Sequence, residues 1–114
     1  EKRQNNAQYL SDHLKSIETP QVKPGYKHVW HQYTIRIDGE RDRDAAIQAL
    51  NQAGIGTGVF YPVPVHQQGY IKDMIGEQSF PVAEMLAKQV ISLPVHPQLS
   101  QADLDTIVRE VNKL

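Results

Sequence analysis

The sequence predicts an α/β (α+β) fold, a two-layer sandwich in which a three-stranded small sheet carries helices packed on one face. Two observations predict it. Helical and strand periodicities alternate along the chain in the order helix, strand, helix, strand, helix, strand, helix. At 114 residues the chain also has the size of one ordinary domain, with a modest core.

The elements follow in order. Ala7, Leu10, Leu14 and Ile17 recur at three-and-four spacing, which places them on one face of a helix over residues 1–18. No capping residue precedes Glu1, so the chain starts inside a helical pattern and reads as a piece of a larger protein. Two prolines and a glycine make Thr19–Gly25 a connector. Val29–Ile37 is the clearest strand, with His31, Tyr33, Ile35 and Ile37 on one face and Trp30, Gln32, Thr34 and Arg36 on the other. Asp38-Gly39 ends it with turn chemistry.

Arg41–Ala53 reads as a helix buried along Ala46, Ile47, Leu50 and Ala53. Asp42 and Asp44 fall in its first turn, where the helix dipole favours acids, and Gly54 can adopt the left-handed conformation that caps its end. Ile55–Phe60 follows as a second strand, lightened by Gly56 and Gly58. Gly69–Ile75 reads as a short helical segment, and Pro81 opens a helix through Lys88 where its missing N–H costs nothing. Val90–Leu93 is the third, buried strand. Ser100-Gln101-Ala102-Asp103 resembles a capping box with Asp for Glu, ahead of a last helix buried along Leu104, Ile107, Val108, Val111 and Leu114.

Composition narrows the function. Twelve basic and thirteen acidic residues give a net charge of -1, and without any Lys/Arg block nucleic acid is not an expected partner. No apolar run approaches the ~18 residues of a membrane span. Zero cysteines exclude a disulfide framework, a zinc ribbon and a thiol nucleophile, and fit a cytoplasmic location. The hydrophobic fraction of 39% lies below the usual globular level of about 45–50%, as if part of the surface were covered by something else.

Candidate chemistry gathers at two proline-rich strand exits, Tyr61–His66 and Ser92–Pro97. Proline fixes φ and cannot donate to a sheet, so each segment leaves its sheet rigidly and presents an imidazole. Such a loop completes a ligand pocket or is simply a stiff turn with a surface histidine. His31 and Tyr33, two apart on one strand face, either project toward a ligand or pack at the core edge. Arg36 is a carboxylate fork or a solvated strand residue. His28 and His31 lie three apart in a strand and so face opposite ways, and no acidic cluster or cysteine completes a metal site with His66 and His96. No Gly-x-Ser-x-Gly elbow occurs, and Gly54, Gly56 and Gly58 alternate rather than forming a phosphate loop. No catalytic residue is assigned.

Eight ordered segments resemble one family. They are Lys2-Arg3-Gln4-Asn5-Asn6-Ala7, His28–Arg36, Arg43-Asp44, Gly54-Ile55-Gly56-Thr57, Tyr61-Pro62-Val63-Pro64-Val65-His66, Pro81–Glu84, Val90–Pro97 and Leu99-Ser100. Together they are similar to the C-terminal part of the DegT/DnrJ/EryC1/StrS sugar aminotransferases, pyridoxal-phosphate enzymes of fold type I. The resemblance implies an inter-domain linking helix at residues 1–18 and a C-terminal small domain at residues 19–114. It implies transfer of an amino group from glutamate or glutamine to a keto-sugar, usually nucleotide-linked, by a protein that is commonly a homodimer. Pyridoxal 5'-phosphate and its lysine would belong to a large domain outside this chain, which alone would be inactive. Substrate binding would fall to His31, Tyr33, Tyr61 and His66, with Ser92–Pro97 as the end of a buried strand. Phe60 stands where relatives often carry histidine, and Val65 where many carry leucine. An independent α/β ligand-binding or regulatory module is the competing expectation.

Overall fold

The computed structural model of the protein describes residues 1–39 and 41–114. Its elements are α1 (Lys2–His13), β1 (Tyr33–Arg36), α2 (Arg43–Gln52), a 3-10 turn (Val65–Gln67), α3 (Gly69–Ile75), α4 (Pro81–Gln89), β2 (Val90–Leu93) and α5 (Gln101–Val111). β1 and β2 pair antiparallel, Tyr33 opposite Leu93 and Arg36 opposite Val90. The architecture is α/β, but the sheet has two strands rather than three.

The third expected strand is reduced to one bridge. Gly58 and Ser92 exchange both backbone hydrogen bonds, at 3.1 and 2.7 Å, and the segment then leaves the sheet. There the Phe60 ring folds back to within 2.6 Å of where a Cβ on Gly58 would sit. Only a glycine lets that ring fold back over the backbone, and the prolines at 62 and 64 prevent further pairing.

The first strand is also shorter than expected. Trp30 sits at φ 50°, a left-handed conformation that breaks the extended run before Tyr33. Three contacts hold this turn: Arg3 Nη1 donates to the Trp30 carbonyl at 3.1 Å, the Trp30 N–H donates to His28 Nδ1 at 2.9 Å, and the indole packs on Tyr33. Likewise α1 ends at His13, four residues before Ile17; Leu14 is extended yet still buried, and Glu18 bridges to Arg36.

The helices after β1 match their sequence cues. Asp42 proves to be the N-cap of α2, accepting from the Asp44 and Ala45 N–H groups. Ala46 and Leu50 are buried there, whereas Ala53 at the helix end is exposed. α5 starts with the capping box: Ser100 Oγ accepts from Asp103 N–H while Asp103 Oδ2 accepts from Ser100 N–H at 2.8 Å. One core joins α1, β1, α2, β2 and α5 through Leu10, Tyr33, Leu50, Ile91 and Val111. α3 buries no residue and α4 buries only Ala87.

Candidate functional site

Two concavities bring the candidate residues to the surface. The larger, about 810 Å³, lies between the Gly54–Gly58 segment, the β2 exit and the turn before β1, and His31, Gln32, Ser92 and His96 line it. The second, about 630 Å³, is an apolar groove bordered by Tyr61, Val65, His66, Ile71 and Phe80. Phe60 borders both, so its ring stands between the two hollows.

The four sequence candidates therefore divide. His31 is exposed beside the larger groove, and Tyr61, 70% exposed, borders the apolar one with His66. Tyr33 is different: it has no exposed surface, and its hydroxyl pairs with Ser11 Oγ at 2.8 Å. The expectation that it shares a ligand-facing surface with His31 is corrected, since its ring packs inside the core against Trp30. Burial pushes the Tyr33 phenol above its ordinary range.

His66 is buried, 8% exposed, at the end of the rigid Pro62–Pro64 exit, and its Nε2 lies 3.0 Å from Glu84 Oε1. The same carboxylate oxygen accepts the Phe80 N–H at 2.8 Å. That backbone bond, with the bond from His66, holds the Glu84 carboxyl below its ordinary range. An ionised carboxylate only accepts, so Nε2 carries the proton. Phe80 meets the imidazole edge-on at 4.8 Å.

The second exit is buried at its start and also lines the larger groove. Ser92, Leu93 and Val95 are buried, and the His96 carbonyl accepts from Asn6 Nδ2 at 2.9 Å. Arg36 forms an exposed ion pair with Glu18 at 2.6 Å rather than a free fork. Among the described residues no three His, Asp or Glu side chains gather around a possible metal position. No helix among the described residues is long and apolar enough to cross a membrane.

Sequence reasoning missed Arg3, Asn6 and Glu84. Arg3 and Asn6 stand three apart on α1, a spacing that puts both on one face, Arg3 toward the Trp30 turn and Asn6 toward the β2 exit. Glu84 lies 18 residues from His66, a separation with no local pattern to reveal it.

The chain is thus a small α/β unit with proline-stiffened loops around open grooves. Several of the solved structures it resembles are aminotransferases. It superposes on one from Brucella abortus with a TM-score of 0.87 at 30% identity, covering 98% of this chain and 30% of that one. DesV from S. venezuelae gives a TM-score of 0.85 at 34% identity, again over 98% of this chain and 30% of that one. The model of the DegT/DnrJ/EryC1/StrS aminotransferase family matches residues 1–112, and the chain belongs to that family.

Among curated relatives, the UDP-N-acetyl-3-dehydro-α-D-glucosamine 3-aminotransferase of Acidithiobacillus ferrooxidans is 37% identical over 112 residues, 94% of this chain and 29% of that protein. The dTDP-3-amino-3,6-dideoxy-α-D-galactopyranose transaminase of Aneurinibacillus thermoaerophilus is 31% identical over 115 residues, 99% of this chain and 31% of that protein. The chain thus spans less than a third of the relatives it matches. The family depends on pyridoxal phosphate, and the residues present here do not fit its anchoring. That cofactor needs an amine in a shielded pocket, and all seven lysines are exposed, with Lys72 and Lys113 paired to Glu77 and Glu110.

Proposed function

We propose that this chain is the C-terminal small domain of a pyridoxal-phosphate aminotransferase that acts on a nucleotide-linked keto-sugar, with glutamate or glutamine as amino donor. The observation that carries this reading is the family match over residues 1–112 on a chain covering 29–31% of its curated relatives. The remaining length is what a cofactor domain would occupy. Both relatives bear names of nucleotide-linked amino-sugar chemistry. The cofactor, held outside this chain, would supply the electron sink for moving the amino group. A homodimer is part of the same reading, and the lack of cysteine fits a reducing compartment such as the cytoplasm.

The chain's own residues would form one wall of the substrate cleft. His31 and Tyr61, both exposed, would contact the sugar; His66 would add a fixed hydrogen-bonding edge; and the apolar groove would keep water from that side. Tyr33 would support this wall from within rather than touch the substrate. None of these groups transfers the amino group itself.

The test is kinetic and uses the intact protein that carries this chain. His31→Ala and His66→Ala should each raise KM for the sugar by about 10-fold while leaving the cofactor's absorbance unchanged. Wild-type kinetics in both variants would remove these residues from the site. An upstream reading frame without a cofactor domain would end the aminotransferase reading.

A further inference from the structure

Glu84 stands closest to the chemistry of His66, and its place at the start of α4 does not explain it fully. A residue serving only the helix end would need to receive the Phe80 N–H, which Oε1 does at 2.8 Å. The same oxygen also meets His66 Nε2 at 3.0 Å, across 18 residues of chain. Phe80, whose backbone shares that carboxylate, lays its ring against the imidazole at an interplanar angle of 68°. The hydrogen bond fixes which way the ring points and the aromatic contact fixes its plane. His66 is thereby held in one orientation at a place where two hollows meet: the apolar groove, and a polar one of about 410 Å³ bordered by Lys72, Glu77 and Ser79.

Tautomer follows from the acceptor. A carboxylate offers only lone pairs, so it selects the imidazole with hydrogen on Nε2, and in the neutral ring Nδ1 is then an acceptor. We propose that Glu84 is a positioning residue that locks His66 as the Nε2–H tautomer, so that Nδ1 accepts a hydrogen bond from a donor group of the substrate, a sugar hydroxyl or an amide N–H. The substrate half of this inference rests on the reading of His66 as a cleft residue; the tautomer half does not. It also assigns a selectivity: a sugar lacking the donor group would leave Nδ1 unpaired and bind less tightly.

The experiment compares Glu84→Ala, Glu84→Gln and His66→Ala in the intact protein. Nitrogen-15 shifts of the His66 ring report the tautomer without substrate. Turnover is measured on a panel of UDP- and dTDP-linked keto-sugars that includes UDP-N-acetyl-3-dehydro-α-D-glucosamine. Glu84→Gln keeps an acceptor oxygen, so it should retain the Nε2–H tautomer and a KM within about 3-fold of wild type. Glu84→Ala should give the mixed tautomers of free histidine and raise KM about 10-fold with kcat little changed. A Glu84→Ala protein that melts at lower temperature but keeps both tautomer and KM would show a helix-end role only, and would overturn the proposal. Unaltered KM in His66→Ala would instead overturn the cleft reading and the substrate half with it. If no sugar on the panel turns over, the function proposed above fails, and the tautomer in Glu84→Ala decides the role of Glu84 by itself.

Discussion

Tyr33 shows how one side chain moves from a candidate ligand group to a determinant of stability. Its ring lies wholly inside the core and its hydroxyl pairs with Ser11 Oγ at 2.8 Å. Tyr33→Phe removes that bond and leaves the serine to find another partner, at a cost of about 1 kcal/mol near neutral pH. The pH dependence has a definite sign. Burial raises the phenol above its ordinary value of 10.0, so the folded state favours the protonated form. That stabilisation is complete below pH 10 and is lost as pH climbs through the folded value. The difference in melting temperature between wild type and Tyr33→Phe should therefore narrow in strongly alkaline buffer. A constant difference across that range would separate the hydroxyl from the alkaline loss of stability.

At the level of elements, local signals located the helices and long-range contacts trimmed the strands. Pro81, the Ser100–Asp103 box and Asp42 act within four residues of the backbone groups they serve, so α2, α4 and α5 were readable from the sequence within about two residues. The strands depended on partners far away. Arg3 reaches 27 residues to hold the turn at Trp30, and Phe60 folds onto Gly58, facts that alternation cannot carry. The site divided the same way: the rigid exit ending in His66 was visible from its prolines, but the carboxylate that pairs with it was not.

The α5 box gives a direct prediction. Ser100→Ala removes the side-chain partner of the Asp103 N–H and should cost about 1 kcal/mol by denaturant titration. Hydrogen bonds from the Ser100 side chain and backbone hold the Asp103 carboxyl below its ordinary 3.8. A carboxyl depressed in the folded state stabilises above its unfolded value and loses that effect as pH falls through the folded one. The cost of Ser100→Ala should thus shrink in acid, below about pH 4. An undiminished cost there would exclude the charged box as its source.

Over the whole molecule, α1 decides whether the unit is one body. Residues 1–18 read in the sequence as a linking helix, separate from the domain at 19–114, yet the packing gives α1 a central place. Ala7 and Leu10 have no exposed surface and Leu14 very little, and all three lie in the single core with Ile91 and Val111. Polar contacts reinforce the same face. Tyr9 donates to Asp105 on α5 at 2.6 Å, Asn112 Nδ2 donates to the His13 carbonyl at 3.0 Å, and Arg3 and Asn6 hold the two loops that border the larger groove. A helix this short is marginal alone, and a core this small has little apolar surface to spare. Leu10→Ala should therefore cost about 2–5 kcal/mol, a large share of a typical domain's stability. Deleting residues 1–18 should go further and leave 19–114 without cooperative unfolding or dispersed amide resonances. Arg3→Ala, by contrast, should leave the melting transition nearly in place while speeding amide exchange at residues 30–31, because it releases a surface turn and empties no core. A sharp, wild-type-like melt from 19–114 would show that the linking helix is dispensable to this fold. Unchanged exchange in Arg3→Ala would show that the tryptophan turn holds its left-handed conformation without the helix.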